Sequence, residues 1–172
     1  EVEICNLNHE VLRQCHATDT ADAFDYEAAW RGVLDTVVAE FAPDLICVTC
    51  MFTMTHRSFK RACERVISRE VPLAIGGVHV SNNVDRILDD IPGVRLAFLR
   101  EGEIALASFI RVVNGEAGCE ELAQLVIVEG GKRYNITRET QPTEDDCNLL
   151  PSWDLAAPEE NARYGTIGSF YY

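Results

Sequence analysis

Residues 45–81 read LICVTCMFTMTHRSFKRACERVISREVPLAIGGVHVS. The first five, LICVT, form a continuous apolar run. Such a run suits a strand buried on both faces, as in a parallel sheet. The next stretch, 51–55, is short and rich in hydroxyls and thioethers, so it reads as a loop. Thr55 is a candidate N-cap. Behind it Phe59, Ala62, Cys63, Val66 and Ile67 recur at helical spacing. Pro72 ends that helix and opens a second strand, 72–75, which Gly76 and Gly77 break.

The same alternation extends outward in both directions. Upstream, Tyr26, Ala29, Trp30, Val33, Leu34, Val37, Val38 and Phe41 fit an amphipathic helix of about four turns, stopped by Pro43. Residues 2–7 (VEICNL) alternate and predict a short strand, and 9–25 show no period. Downstream, Asn82 or Asn83 caps a short helix bearing Val84, Ile87, Leu88 and Ile91. Pro92 and Gly93 turn the chain into a strand at 95–99 (RLAFL). Glu103 opens a helix with Ile104, Phe109, Ile110 and Val113, closed by Asn114 and Gly115. Strand–helix alternation with short connections predicts right-handed βαβ units in an open, doubly wound parallel sheet. Ligands of such sheets bind beyond the carboxyl ends of the strands. Two further strands, 125–129 and 133–137, flank Gly130–Gly131 and predict a β-hairpin. From 138 to 172 acidic residues and prolines replace any period.

Composition sets outer bounds. The chain has 172 residues, 47% hydrophobic and 25% charged, which is globular composition rather than disorder. Fifteen basic against 28 acidic residues give a net charge of −13. That disfavours a phosphate-tracking nucleic-acid binder or an anionic-membrane binder. No apolar run is long enough to span a bilayer, and no signal peptide opens the sequence. The seven cysteines are an odd number, several of them inside apolar segments. They point to buried thiols in a reducing, cytoplasmic compartment.

Three loops follow three strands: 49–55, 76–81 and 100–103. In a doubly wound sheet they line one groove. The glycine pair lets a ligand approach the backbone closely. Each feature also has a plainer reading. The glycines can be turn chemistry, His79 an ordinary hydrogen-bonded residue, and Glu101 and Glu103 carboxylates complementing a helix dipole. The pair Cys47 and Cys50 is a CxxC whose first member lies inside the apolar strand with no second pair nearby, so buried core is its default. GxGxxG, GxxxxGK[ST] and GxSxG are all absent. The strand ends offer no receiver-type Asp, and the 49–55 loop is only loosely like a flavodoxin phosphate loop.

PDLICVT (43–49), the hydroxyl-rich loop and helix, PLAIGGVHVS (72–81), and LREGE (99–103) opening a helix come in an order that resembles the cobalamin-binding domain of cobalamin-dependent radical S-adenosylmethionine proteins. VIVEGGKRYNIT (126–137), the acidic stretch and LPSWDL (150–155) look like the segment joining that domain to the radical barrel. The resemblance implies a flavodoxin-like fold with a C-terminal hairpin, divided as a cobalamin-binding α/β domain at 1–120, a hairpin at 121–137 and a linker at 138–172.

It also implies cofactor contacts at Thr49, Met51, Phe52, Thr53, Gly76, Gly77, His79, Glu101 and Gly102. The glycines suit backbone approach, the hydroxyls the amide and nucleotide side, and Met51 and Phe52 a corrin face. The family usually shows GEGE where this sequence has Arg100 in the first position. The Asp-x-His-x-x-Gly motif that supplies a lower axial histidine is missing, so a base-off corrinoid without a protein histidine ligand is expected, with no metal-ligating or catalytic side chain.

VEICNLN resembles the family's second strand, so the first strand is expected before Glu1. A 4Fe–4S cluster and S-adenosylmethionine are expected only in a radical domain of the same polypeptide beyond Tyr172. The parent enzyme is expected to be a methyltransferase, or else a ring-forming enzyme of tetrapyrrole metabolism. Tyr164, Tyr171 and Tyr172 are either interface or linker aromatics. The alternative is a flavodoxin-like domain for a flavin or nucleotide, or a structural packing domain.

Overall fold

The computed structural model describes residues 1–18, 23–148, 150, 152–156 and 163. They fall into two compact units, one of 1–43 with 150–172 and one of 44–149. About half of the linker, with Tyr164, Tyr171 and Tyr172, lies outside the described residues.

In the first unit, residues 1–6 form no strand, contrary to the VEICNL reading. Asn6 instead caps helix α1 (Leu7–His16), its side chain accepting from the His9 N–H at 3.1 Å. The capping geometry overrides a short alternation. Helix α2 (Tyr26–Phe41) lies where its period places it, started by Asp25 accepting from the Ala28 N–H and ended by Ala42 at φ 49°. Ala29, Trp30 and Leu34 are its buried stripe, while Tyr26 at its first turn is exposed.

The second unit is one five-stranded open sheet, in the order β1 (Ile46–Thr49), β2 (Leu73–Gly76), β3 (Leu96–Phe98), β4 (Leu125–Glu129) and β5 (Lys132–Ile136). The first three strands pair in parallel through helices α3 (His56–Ile67) and α4 (Val78–Asp90). This is the mostly parallel sheet expected from the strand–helix alternation, and it is consistent with the flavodoxin-like fold that the resemblance implies. Strand β4 is antiparallel to both its neighbours. The hairpin therefore continues the sheet rather than standing off it. Its two-residue turn has Gly130 and Gly131 at φ 57° and 76°, the left-handed pair such a turn requires.

Both faces are covered. Ala74, Leu96 and Phe98 pack with Ala105 of helix α5 (Gly102–Val113), and with Leu122 and Leu125. Leu73, Ile75 and Ala97, of opposite parity and also buried, turn to the other face. On α3 the buried stripe is Phe59, Cys63 and Val66, within the expected set. On α5 the packed side runs through Ala105, Leu106, Phe109 and Val112, leaving Ile110 and Val113 exposed. The expected stripe on α5 was thus rotated by about one position.

The apolar run of β1 misled in one respect. Its residues alternate between half-buried and exposed, because β1 is an edge strand whose neighbour among the described residues is β2 alone. Cys47 is accordingly exposed rather than core, and Cys50 is buried. Two short helices, α6 (Glu144–Cys147) and α7 (Trp153–Ala156), stand where no period was legible. A capping box of Thr143 and Asp146 starts the first.

Candidate functional site

The carboxyl ends of β1, β2 and β3 share one rim, since the three strands run in parallel. The loop after β1 is Cys50–Phe52, followed by a 3-10 turn at Thr53–Thr55. Thr55 precedes α3 but caps nothing. Its hydroxyl donates to the Phe52 carbonyl at 2.8 Å, closing the turn on itself. The turn throws Met51, Phe52 and Met54 outward at 51%, 65% and 89% exposure, with Val78 at the start of α4 at 53%. Four large apolar side chains open at the ends of adjacent strands form a patch of the kind that marks a binding surface.

The glycine pair is more constrained than turn chemistry requires. Gly77 has φ 101°, and a Cβ there would lie 2.5 Å from the Cys50 carbonyl oxygen and 2.9 Å from Thr49 Oγ1. Thr49 and Gly77 are therefore in close contact. The helix then begins at once: α4 starts at Val78, not at Asn82 or Asn83 as expected. Asn83 instead interrupts it with non-helical torsions (φ −139°, ψ 28°). His79 thus stands in the first turn of a helix. It is only 6% exposed.

His79 is the hub of a side-chain chain. Its Nδ1 lies 3.0 Å from Thr53 Oγ1, and its Nε2 lies 3.0 Å from Nδ1 of His56. Nε2 of His56 lies 2.9 Å from Asp90 Oδ2, and Lys60 Nζ donates to the other carboxylate oxygen at 2.7 Å. The hydrogen bonds from Lys60 and His56 hold the Asp90 carboxyl below its ordinary range. The Asp90 bond in turn raises the Lys60 ammonium. Burial, with smaller contributions from His56 and Arg86, lowers His79 below the usual imidazole value. His56, Lys60 and Asp90 were not singled out in the sequence. The available signal was that two of the four histidines flank the first two strand-end loops.

Glu101 and Gly102 stand one strand over, at the start of α5. Arg100 occupies the position where the family has glycine, and it takes the glycine-like torsion φ 60°. Its N–H donates to Ser81 Oγ at 2.8 Å, joining this loop to α4, and its guanidinium pairs with Glu139. Glu101 accepts from Gln124 Nε2 at 3.2 Å. The buried Gln124 Oε1 has no hydrogen-bond partner among the described residues, and this residue also went unnoticed in the sequence. Thr49, Thr53, Gly77 and His79 therefore form one contiguous cluster. Met51 and Phe52 border it, and Gly76 is joined to it through its carbonyl, which accepts from the Cys50 N–H at 2.9 Å. Glu101 and Gly102 extend the rim without bonding to that cluster.

A cavity of about 400 Å³ lies in the first unit, lined by Cys5, His9, Arg13, Gly32 and Thr36 among others, and includes none of the expected contact residues. Among the described residues no cluster of His, Cys, Asp and Glu is arranged to hold a metal ion, and no helix is long and apolar enough to cross a membrane.

Residues 10–110 match the family model of the B12-binding domain, so the chain belongs to the B12-binding domain family. Two solved structures share its fold. One is the cobalamin-dependent S-adenosylmethionine radical enzyme OxsB, with aqua-cobalamin and S-adenosylmethionine bound. It is similar with a TM-score of 0.58 and 14% identity over 95% of this chain. The other is the radical S-adenosylmethionine methyltransferase TsrM from Kitasatospora setae, with tryptophan and a cofactor analogue bound. It gives a TM-score of 0.54 and 14% identity over 78% of this chain. The chain spans 23% and 27% of the length of those two proteins. No curated protein matches by sequence.

Proposed function

We propose that the unit of residues 44–149 holds cobalamin over the rim of β1, β2 and β3, as the corrinoid module of a larger radical S-adenosylmethionine enzyme. One observation carries the proposal: Met51, Phe52, Met54 and Val78 are exposed on the segments that directly follow β1 and β2, in a chain of the B12-binding family. The residues fit the group. A broad apolar macrocycle rimmed by amides needs an apolar surface, close backbone approach and nearby hydroxyls. Thr49 and Thr53 supply the hydroxyls. When bound, cobalamin supplies a cobalt centre that can accept and pass on a methyl group.

The chain's own contribution is positioning. Met51, Phe52 and Met54 cover apolar surface and exclude water. Gly77 lets the segments after β1 and β2 close against each other, which sets the floor of the groove. Glu101 and Gly102 border the groove on the side of β3. His79 is not placed as an axial ligand in this reading. The support is that both ring nitrogens have partners and the ring is buried, which favours a corrinoid without a protein histidine on cobalt.

The iron–sulfur cluster and S-adenosylmethionine belong, in this reading, to a radical domain of the same polypeptide. A methyltransferase parent is favoured by the likeness to TsrM, whose printed description is that of a methyltransferase. A reducing, cytoplasmic setting is supported by the six free cysteines among the described residues.

The test is a titration of the chain with hydroxocobalamin, followed by gel filtration and a visible spectrum. Co-elution near one equivalent with a base-off spectrum supports the module. A bound complex with a base-on spectrum keeps the corrinoid but overturns the base-off reading, in which the nucleotide tail inserts among the loops. Retention of a flavin in place of the corrinoid overturns the ligand assignment.

A further inference from the structure

The chain of groups behind the groove has a direction. Asp90 accepts only, being ionised between Lys60 and His56. His56 must therefore carry its proton on Nε2. In the neutral ring Nδ1 is then an acceptor, so the facing Nε2 of His79 must be the donor. That leaves Nδ1 of His79 as an acceptor. Asn83 agrees independently: its amide nitrogen, a donor, lies 3.5 Å from the same Nδ1 while also donating to the His79 carbonyl at 3.2 Å. Thr53 must then point its hydroxyl proton inward, toward His79 at 3.0 Å.

We propose that His56 and Asp90 are positioning residues that, through His79, hold the Thr53 hydroxyl as a hydrogen-bond acceptor toward the groove, selecting an N–H donor on the bound ligand. The ligand's identity rests on the cobalamin reading. The primary carboxamides at a corrin's edge are donors of this class. The hydrogen-bonded chain itself does not depend on that reading.

The arrangement is reversible by one proton. The neutral pair of rings holds two N–H protons on four nitrogens. A third proton, entering at either ring, leaves one on His56 Nε2, one between the rings and one on His79 Nδ1. The last then donates to Thr53, whose hydroxyl proton turns outward. The groove would present a donor where it had presented an acceptor. Among the described residues, the charges acting on the pair and its partners include Asp90 and Arg86 on α4, and on α3 Lys60, with Glu64 close to Lys60. Thr53 is exposed, so its free side is available to a ligand.

Two readouts on the whole chain test this. Nitrogen-15 NMR of labelled histidine reports each ring's tautomer without any ligand. The expected result near about pH 8 is the Nε2–H form for both His56 and His79. In His56→Phe, and in Asp90→Ala as the milder variant, His79 should become a mixture of tautomers. A His79 carrying its proton on Nδ1 in the parent chain, or one unchanged in both variants, overturns the chain of donors.

Hydroxocobalamin titration reports the second half. Affinity should fall roughly three- to tenfold between about pH 8 and about pH 5.5. In Thr53→Val it should be weaker and flat with pH. An equally steep fall in Thr53→Val overturns the role of Thr53. Absence of hydroxocobalamin binding at every pH overturns the ligand assignment while the NMR result still decides the chain of donors.

Discussion

The backbone N–H of His79 donates to the carbonyl oxygen of Cys50 at 3.1 Å, and the Cys50 N–H donates in turn to the Gly76 carbonyl at 2.9 Å. Two loops that follow different strands are thereby stitched into one surface. The stitch requires that nothing stand between them, and Gly77 is where a side chain would stand.

Gly77→Ala is therefore expected to destabilise the chain by about 1–3 kcal/mol, since it adds a Cβ both at positive φ and against Cys50. Urea unfolding followed by circular dichroism measures it. A midpoint equal to that of the parent chain would mean the loop yields freely.

Phe52→Ser and Met54→Ser test the apolar patch. Both side chains are mostly exposed, so thermal midpoints should hardly move. Hydroxocobalamin affinity should fall by up to about tenfold for each, from lost apolar burial. Unchanged affinity in both would remove the patch from the ligand surface.

Arg100 separates strain from charge. It holds φ 60° and an ion pair with Glu139. Arg100→Gly and Arg100→Ala both lose the pair, but only glycine relieves the torsion. The glycine variant should be more stable than the alanine variant by about 1 kcal/mol, by chemical denaturation. Equal stabilities would show that the loop re-forms with another backbone.

His79 makes stability depend on pH. The unfolded ring takes a proton near 6.5, which the buried folded ring resists. Below that pH the unfolded state binds more protons, so stability falls as acid is added. Thermal midpoints on either side of 6.5 should show the fall, shallower in His79→Gln. Identical slopes would assign the acid sensitivity elsewhere.

Cys63 is fully buried, and burial, with Cys50 and Glu64 adding, pushes its thiol up to about 12. Cys119 is exposed. Iodoacetamide near neutral pH should alkylate Cys119 in the folded chain and Cys63 only in denaturant, as read by peptide mass spectrometry. Early labelling of Cys63 would show that α3 opens.

The sheet was legible because its elements are local. Most of its apolar runs are closed by proline or glycine, and Gly130–Gly131 announces its own turn. Helix α1 was not legible. Val11 is its one buried apolar residue, and the Asn6 cap is a contact rather than a period. The start of α4 was missed for a similar reason. Gly77 ends the strand and begins the helix in one residue, so no loop separates Val78 from it. The residues at the strand ends could be placed on one rim from their order in the sequence. The support behind them could not: Asp90 meets His56 across 34 residues, a pairing made by the packing of α4 beside α3. Gln124 likewise meets Glu101 only because β4 lies against β3.

The hairpin decides on which side of the sheet the polypeptide departs. Strand β4 enters at the rim formed by the carboxyl ends of β1, β2 and β3, where Leu125 pairs with Phe98, and runs away from it. Strand β5 reverses that traverse, so Ile136 returns beside Leu125. Two passes cancel, and the backbone leaves on the side it came from, with Arg138 accepting from Gln124 and Glu139 fastened to Arg100. A single added strand would have carried the exit to the far edge. By parity alone, the segment after the hairpin sets out from the same rim as the loops after β1, β2 and β3.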